Sequence, residues 1–306
     1  MCRIEDVFLK DTKGLDCLES ALMSFGYIMG NNYIHLAYNT AFKFYVDKDY
    51  VNKNIDFVKV ITRKESKEII ELLKVYLGVE MIVCDWASVT RENANYYIIS
   101  VDPFYCPWIK QHYSRNHGKH YVIYSPKFSL VFDSTFNTRP YHIELSEISA
   151  CILDSVVYLI SCQMDKPIHV NYKMLWNETK LSVIRSYKVE DLKFYLYWLF
   201  DYYVNINEAV SLYTDINEII FRIVASRKQF FDFILIISHI FDKRLVNKLL
   251  KLSKKCYLNW DKLKSLLVYS SLKRKPIDKN NLLKVLKEIF RSEKELYNII
   301  LNSTLN

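Results

Sequence analysis

Apolar positions along the first third of the chain follow two different periods. In "DCLESALMSFGYIMG" Leu18, Leu22 and Phe25 recur at helical spacing, with Ala21 and Met23 between them. The pattern predicts a helix over 15–29 that begins after Gly14-Leu15-Asp16 and has Gly26 and Gly30 near its end. "IDFVKVIT" (55–62) alternates apolar and polar residues and predicts a strand. "ESKEIIELLKVYL" (65–77) returns to the helical period, and Gly78 can close it. Four β-like runs follow: "EMIVCDW", "NYYIISVD", "KHYVIYS" and "FSLVFDSTF". Only "PK" separates the last two, which predicts a hairpin. One helix followed by neighbouring strands predicts an α+β domain with the helix packed on an antiparallel sheet.

Beyond about residue 165 the period is helical throughout. Residues 189–204, 207–241, 242–272 and 279–303 are rich in Leu, Ile, Phe, Lys and Glu, and Asp278 is placed to cap the last of them, just after Pro276. The expected division is therefore a first domain at 1–165 and a helical C-terminal region at 166–306. "MDKPIHVNYKMLWNETK" (164–180) reads as the linker.

Composition narrows the classes. With 306 residues, 51% of them hydrophobic, the chain can bury a sizeable core, and no apolar run is long enough to predict a membrane span. The N-terminal stretch does not read as a secretory signal, nor the C-terminal one as a lipidation signal. The seven cysteines contain no CxxC pair and are odd in number, which argues against a disulfide framework or a structural zinc and for a reducing, cytoplasmic setting. Cys84, Cys151 and Cys162 fall in apolar runs and read as core. There are only five glycines, and neither GxGxxG nor GxxxxGK[ST] occurs, so chemistry built on those phosphate loops is excluded. The net charge is +8, unevenly spread: residues 1–150 carry 17 basic and 18 acidic side chains, residues 151–306 carry 25 and 16. Such an excess suits an acidic partner. As a nucleic-acid signal it is weak, because no helix-turn-helix or aromatic-interleaved basic motif accompanies it.

Cys17 stands where the first helix begins. A free cysteine there is either a small buried apolar side chain or a nucleophile whose thiolate the positive end of the helix favours. A nucleophile needs a base, and the base an orienting partner. The predicted hairpin offers both, since His120 opens one strand, Asp133 ends the next, and paired strands bring such residues together. Cys17, His120 and Asp133 are the candidate catalytic residues, with His120 taking the thiol proton and Asp133 holding the imidazolium. The Cys17 N–H can supply one oxyanion donor; Lys10, Asp11 and Thr12 stand in the region for a second, but a carboxylate there would repel an oxyanion, so the second donor is left open. His112 and His117 share "KQHYSRNHGKH" with His120, but with no acidic ligand nearby in sequence, so no metal site is expected.

The motifs "SVDPFYCPW", "RNHGKHYVIYS" and "LVFDSTF", with "DCLESALMS" before them, resemble the family of butirosin biosynthesis protein H. That family is similar to papain-like cysteine peptidases, particularly the bacteriocin-leader peptidase branch. The resemblance covers roughly residues 10–160 and departs from the family after the His strand, where "YSPKF" stands in place of a glycine-containing turn. It implies a papain-like fold with a helical C-terminal region and an acyltransferase of thiotemplated, nonribosomal-type biosynthesis. In that reaction the acyl group of a carrier-protein thioester passes through Cys17 to an amine. No cofactor is then bound by the enzyme; phosphopantetheine arrives on an acyl or peptidyl carrier protein, and neither nucleic acid nor membrane is a partner. The aromatics of "FYCPW" and "DWASV" would line a dry pocket. Lys243, Arg244, Lys273, Arg274 and Lys275 are candidate contacts to the acidic carrier. A peptidase or thioesterase on the same three residues, and a non-catalytic carrier-binding relative, remain open beside it.

Overall fold

The computed structural model describes residues 17–28, 42–46, 60–61, 70–71, 73–75, 78–90, 96–137, 139–162, 170–206 and 215–303. The chain forms two compact units, one from 1–38 and 66–170, the other from 39–65 and 171–306.

The first described element of the first unit is helix α1 (Cys17–Ile28). Strands β1 (Tyr45–Val46) and β2 (Val60–Ile61) follow in the chain but belong to the second unit, so described residues 42–46 and 60–61 group with the helical part although a linear boundary at 165 leaves them in the first. Residues 70–71 and 73–75 are helical, within the helix predicted over 65–77, and Gly78 after them takes φ +61°, a left-handed conformation that suits a residue without Cβ. The first unit continues with β3 (Val79–Asp85), β4 (Tyr96–Val101), β5 (His120–Ser125), β6 (Leu130–Phe132), β7 (Tyr141–His142), the short α2 (Leu145–Ser149) and β8 (Val156–Cys162). These strands form one antiparallel six-stranded sheet in the order β3-β8-β4-β5-β6-β7. The architecture is α+β with a helical C-terminal region.

Side-chain alternation gives the sheet two buried faces. Ile98, Ile123, Leu130 and Phe132 pack with Ala21, Leu22 and Phe25 of α1. Tyr97, Ile99, Val101, Val122, Tyr124 and Val131 point the other way, against Trp108, Ile109, Ile143 and Ile148. Phe25 is fully buried, and truncating such a side chain to Ala costs about 3–5 kcal/mol. The predicted hairpin forms: Ile123 pairs with Phe132, Tyr124 with Val131 and Ser125 with Leu130. Its connection is a 3₁₀ turn, Pro126–Phe128, and Ser129 takes the left-handed φ of +51° that closes it without a glycine. Strand β8 is not among the sequence expectations. It inserts between β3 and β4, neighbours in the chain, by long-range pairing that no local pattern encodes.

The second unit holds α3 (Tyr172–Ser186), α4 (Val189–Asn205), α5 (Asp215–Ile237), α6 (Lys243–Lys273) and α7 (Lys279–Asn302). α3 corrects the reading of 164–180 as linker. From residue 172 the segment is helix, started by Asn171, whose side chain accepts from the Met174 N–H, and anchored by buried Leu175, Trp176, Thr179 and Val183. Its polar composition hides this stripe. Asp278 caps α7 as expected, accepting from the Asn281 N–H at 2.7 Å. Among the described residues no helix is long and apolar enough to cross a membrane.

Candidate active site

All three candidate catalytic residues lie in the first unit, and the fold brings them together. Extending the β5/β6 register sets Asp133 opposite Val122, so His120 is its diagonal neighbour on the same face, within reach of long side chains. His120 Nε2 lies 3.1 Å from Asp133 Oδ1, at ion-pairing distance though off the axis of a good hydrogen bond. Cys17 is the second side chain that acts on the imidazole. Both members of the His–Asp pair are buried, at 5% and 3% exposure. Burial pushes the imidazole pKa down, but Asp133 and Cys17 outweigh it and raise it to about 9. The ring is thereby held as imidazolium at neutral pH, the form that stabilises a thiolate.

Neighbouring groups fix this geometry. Trp108 Nε1–H donates to Asp133 Oδ2 at 3.1 Å, and the Thr135 N–H donates to Oδ1 at 3.2 Å, so the carboxylate cannot rotate freely. Phe136 stands edge-on to the His120 ring, with centroids 5.1 Å apart. Ser134, next to Asp133, donates to the Ser20 carbonyl at 3.1 Å, and the Ser24 hydroxyl lies 2.9 Å from its oxygen. These bonds tie α1 to the end of β6 and so set Cys17 against His120.

Cys84, Cys106, Cys151 and Cys256 are each buried or turned to a backbone carbonyl. Cys106 is fully buried, and the adjacent Cys151 thiol and burial push its pKa far up. Cys256 is buried in the helical unit and also pushed well up by desolvation. Cys151 is buried and donates to the Tyr105 carbonyl. Cys84 is half-buried, with its thiol turned to the Val157 carbonyl. The Cys162 side chain lies outside the described residues, as do Lys10, Asp11 and Thr12.

The three histidines of "KQHYSRNHGKH" go to three different partners: His120 to Asp133, His117 to Asp102 at 2.8 Å, and His112 to Asn116 at 3.4 Å. Among the described residues no group of three or more His, Cys, Asp or Glu could hold a metal ion. Of the expected pocket aromatics, Trp108 touches the site, while Trp86 packs against Tyr124 on the sheet face away from α1. The Trp108 bond to Asp133, Ser134 and the pairing of Asp102 with His117 are site features that no sequence pattern pointed to. The one local signal was the density of aromatic and polar residues in 100–120.

The five basic residues proposed as carrier contacts are all exposed but do not form one patch. Lys243 and Arg244 open α6, and Lys273, Arg274 and Lys275 lie at its far end. A helix of 31 residues is about 45 Å long.

No protein-family model matches this chain, and no curated protein matches it.

Proposed function

We propose that this chain is a papain-like cysteine acyltransferase that forms an amide from a carrier-bound acyl thioester, as its resemblance to the butirosin biosynthesis protein H family implies. The observation that carries this reading is the arrangement at one sheet end: a thiol at a helix start, an imidazole held cationic beside it, and a carboxylate clamped by Trp108 and Thr135. Cys17 attacks the thioester carbonyl, the new C–S bond forms, and the pantetheine thiolate leaves with the proton of His120. An amine then attacks acyl-Cys17, the C–N bond forms, the C–S bond breaks, and His120 takes a proton from the nitrogen to restore the ion pair. A thioester is already activated, which suits a chain without phosphate loops. The burial of His120 and Asp133 keeps water from the base and favours an amine over hydrolysis.

The test is intact-mass analysis after incubation with acyl-loaded carrier protein. The expected result is one acyl group on Cys17, absent in Cys17→Ala, and amide product on addition of amine. Undiminished product formation by Cys17→Ala would overturn the reading. Free acid in place of amide would make the enzyme a hydrolase on the same residues.

A further inference from the structure

A second Asp–His pair stands at the same end of the sheet. Asp102 directly follows Val101, and Val101 pairs with His120 across β4 and β5. The Asp102 carboxylate is buried and held at three points: Oδ1 accepts from the Phe104 N–H at 3.0 Å and the Gly118 N–H at 3.2 Å, and Oδ2 lies 2.8 Å from His117 Nδ1. Burial pushes its pKa up, yet His117 and the two backbone donors more than offset this and hold the carboxyl below its ordinary range. An ionised carboxylate at that distance keeps a hydrogen on Nδ1, so it is Nε2 that gains or loses the ring's second proton. The ring stacks on Phe104 at 4.1 Å and 14°. Unlike His120, the His117 side chain is 64% exposed. Of the two cations nearest in sequence, Arg115 and Lys119, Lys119 is paired with Asp154 at 2.6 Å. Here a buried carboxylate orients an imidazole whose free nitrogen meets solvent.

Proton counting gives that nitrogen a use, on the reading that the enzyme acylates an amine. A primary amine has a pKa of roughly 8 to 10 and reaches the enzyme at neutral pH mainly as an ammonium ion. Conversion of R–NH₃⁺ to an amide nitrogen releases two protons. His120 accepts one, because it gave one to the departing pantetheine thiolate. Cys17 leaves as thiolate and Asp133 supports the imidazolium, so the triad has no place for the other. We propose that the Asp102–His117 pair is the acceptor-side base: His117 Nε2 takes the first proton from the ammonium, the free amine attacks acyl-Cys17, and the exposed ring returns its proton to water.

The test separates the two half-reactions in full-length protein. Wild type, His117→Gln and Asp102→Asn are loaded from an acyl-pantetheine thioester. The acyl-enzymes are then mixed at pH 7 with ethylamine, with glycinamide, or with methoxyamine, which is uncharged at that pH. His117→Gln still acylates Cys17 but transfers to a basic alkylamine such as ethylamine or to glycinamide with a deficit that grows with amine basicity, about 10-fold or more for ethylamine. It matches wild type with methoxyamine, and Asp102→Asn shows the same selectivity. Equal rates with every amine, or equal slowing with every amine including methoxyamine, would reduce the pair to a loop clamp and overturn the inference. Failure of wild type to acylate Cys17 at all would instead remove the acyltransfer reading on which it rests.

Discussion

At the scale of single residues, His120 carries the most distinctive physical signature. Its pKa is raised to about 9 from an ordinary 6.5: desolvation opposes the charge, and Asp133 and Cys17 overcome it. The folded protein therefore binds the proton more tightly than the unfolded chain. The extra stability is complete below about pH 6.5 and is lost as pH rises through 9, and the shift corresponds to about 3 kcal/mol. Two measurements check this. By NMR, the His120 ring should titrate near 9 in wild type and lower in both Cys17→Ala and Asp133→Asn. By denaturant unfolding, wild type should lose more stability between pH 6.5 and 9.5 than His120→Gln, by up to about 3 kcal/mol. A midpoint at the ordinary histidine value in all three proteins would show that the ring is not held as imidazolium. Cys17, His120 and Asp133 could be read from the sequence because each falls at the boundary of a locally patterned element. The bond of Trp108 to Asp133 and the role of Ser134 could not: the Ser134–Ser20 bond joins positions 114 apart, and nothing near either residue announces the other.

At the scale of elements, the helical unit is organised around a charge that its own pattern conceals. α7 places Leu282, Val285, Leu286, Ile289, Leu296 and Ile300 on its buried face, and Glu293 falls in phase with them. Read alone, that glutamate is a flaw in an amphipathic helix. The fold answers it with Arg227 of α5, whose Nε donates to Glu293 Oε1 at 2.6 Å while the Trp260 indole N–H donates to the same oxygen and the Tyr187 hydroxyl to the other. Arg227 also donates to the Lys43 carbonyl and lies over the Phe42 ring. Removing one charge leaves the other buried and uncompensated, whereas replacing both with apolar residues does not. Arg227→Met should destabilise the protein by about 3–5 kcal/mol in urea unfolding, and Arg227→Met with Glu293→Leu by clearly less. Equal loss in the single and double variants would mean that the charges do not depend on each other. The same distinction between local and distant information separates the elements that were legible from those that were not. α1, the β5/β6 hairpin and α7 follow from short-range periodicity and caps. β8 requires knowledge of which strands it enters between, and α3 hides its stripe among polar residues.

At the scale of the whole molecule, charge is the remaining lever on function. The basic excess lies in the second half of the sequence, and an acidic carrier would be drawn to it over a Debye length of about 10 Å in dilute salt. A small thioester without the carrier would feel none of this. Raising ionic strength should therefore raise KM for acyl-loaded carrier several-fold, leave KM for the matching acyl-pantetheine unchanged, and leave kcat alike for both. The helix carrying the candidate contacts sharpens the expectation further. Lys243–Arg244 and Lys273–Arg274–Lys275 are separated by the length of α6, about 45 Å, while a domain of 100 residues has a radius of gyration of about 13 Å. One carrier cannot sit on both ends at once. The distal cluster already has a structural use, since positive charge at a helix C-terminus is favourable, and Lys243 and Arg244 oppose the dipole at the N-terminus. Neutralising Lys243 with Arg244, or Lys273 with Arg274 and Lys275, should thus raise KM for the carrier in one of the two variants and not in the other. A rise in neither would place carrier recognition on a different surface, and a rise in both would mean that long-range charge rather than one docking end governs it.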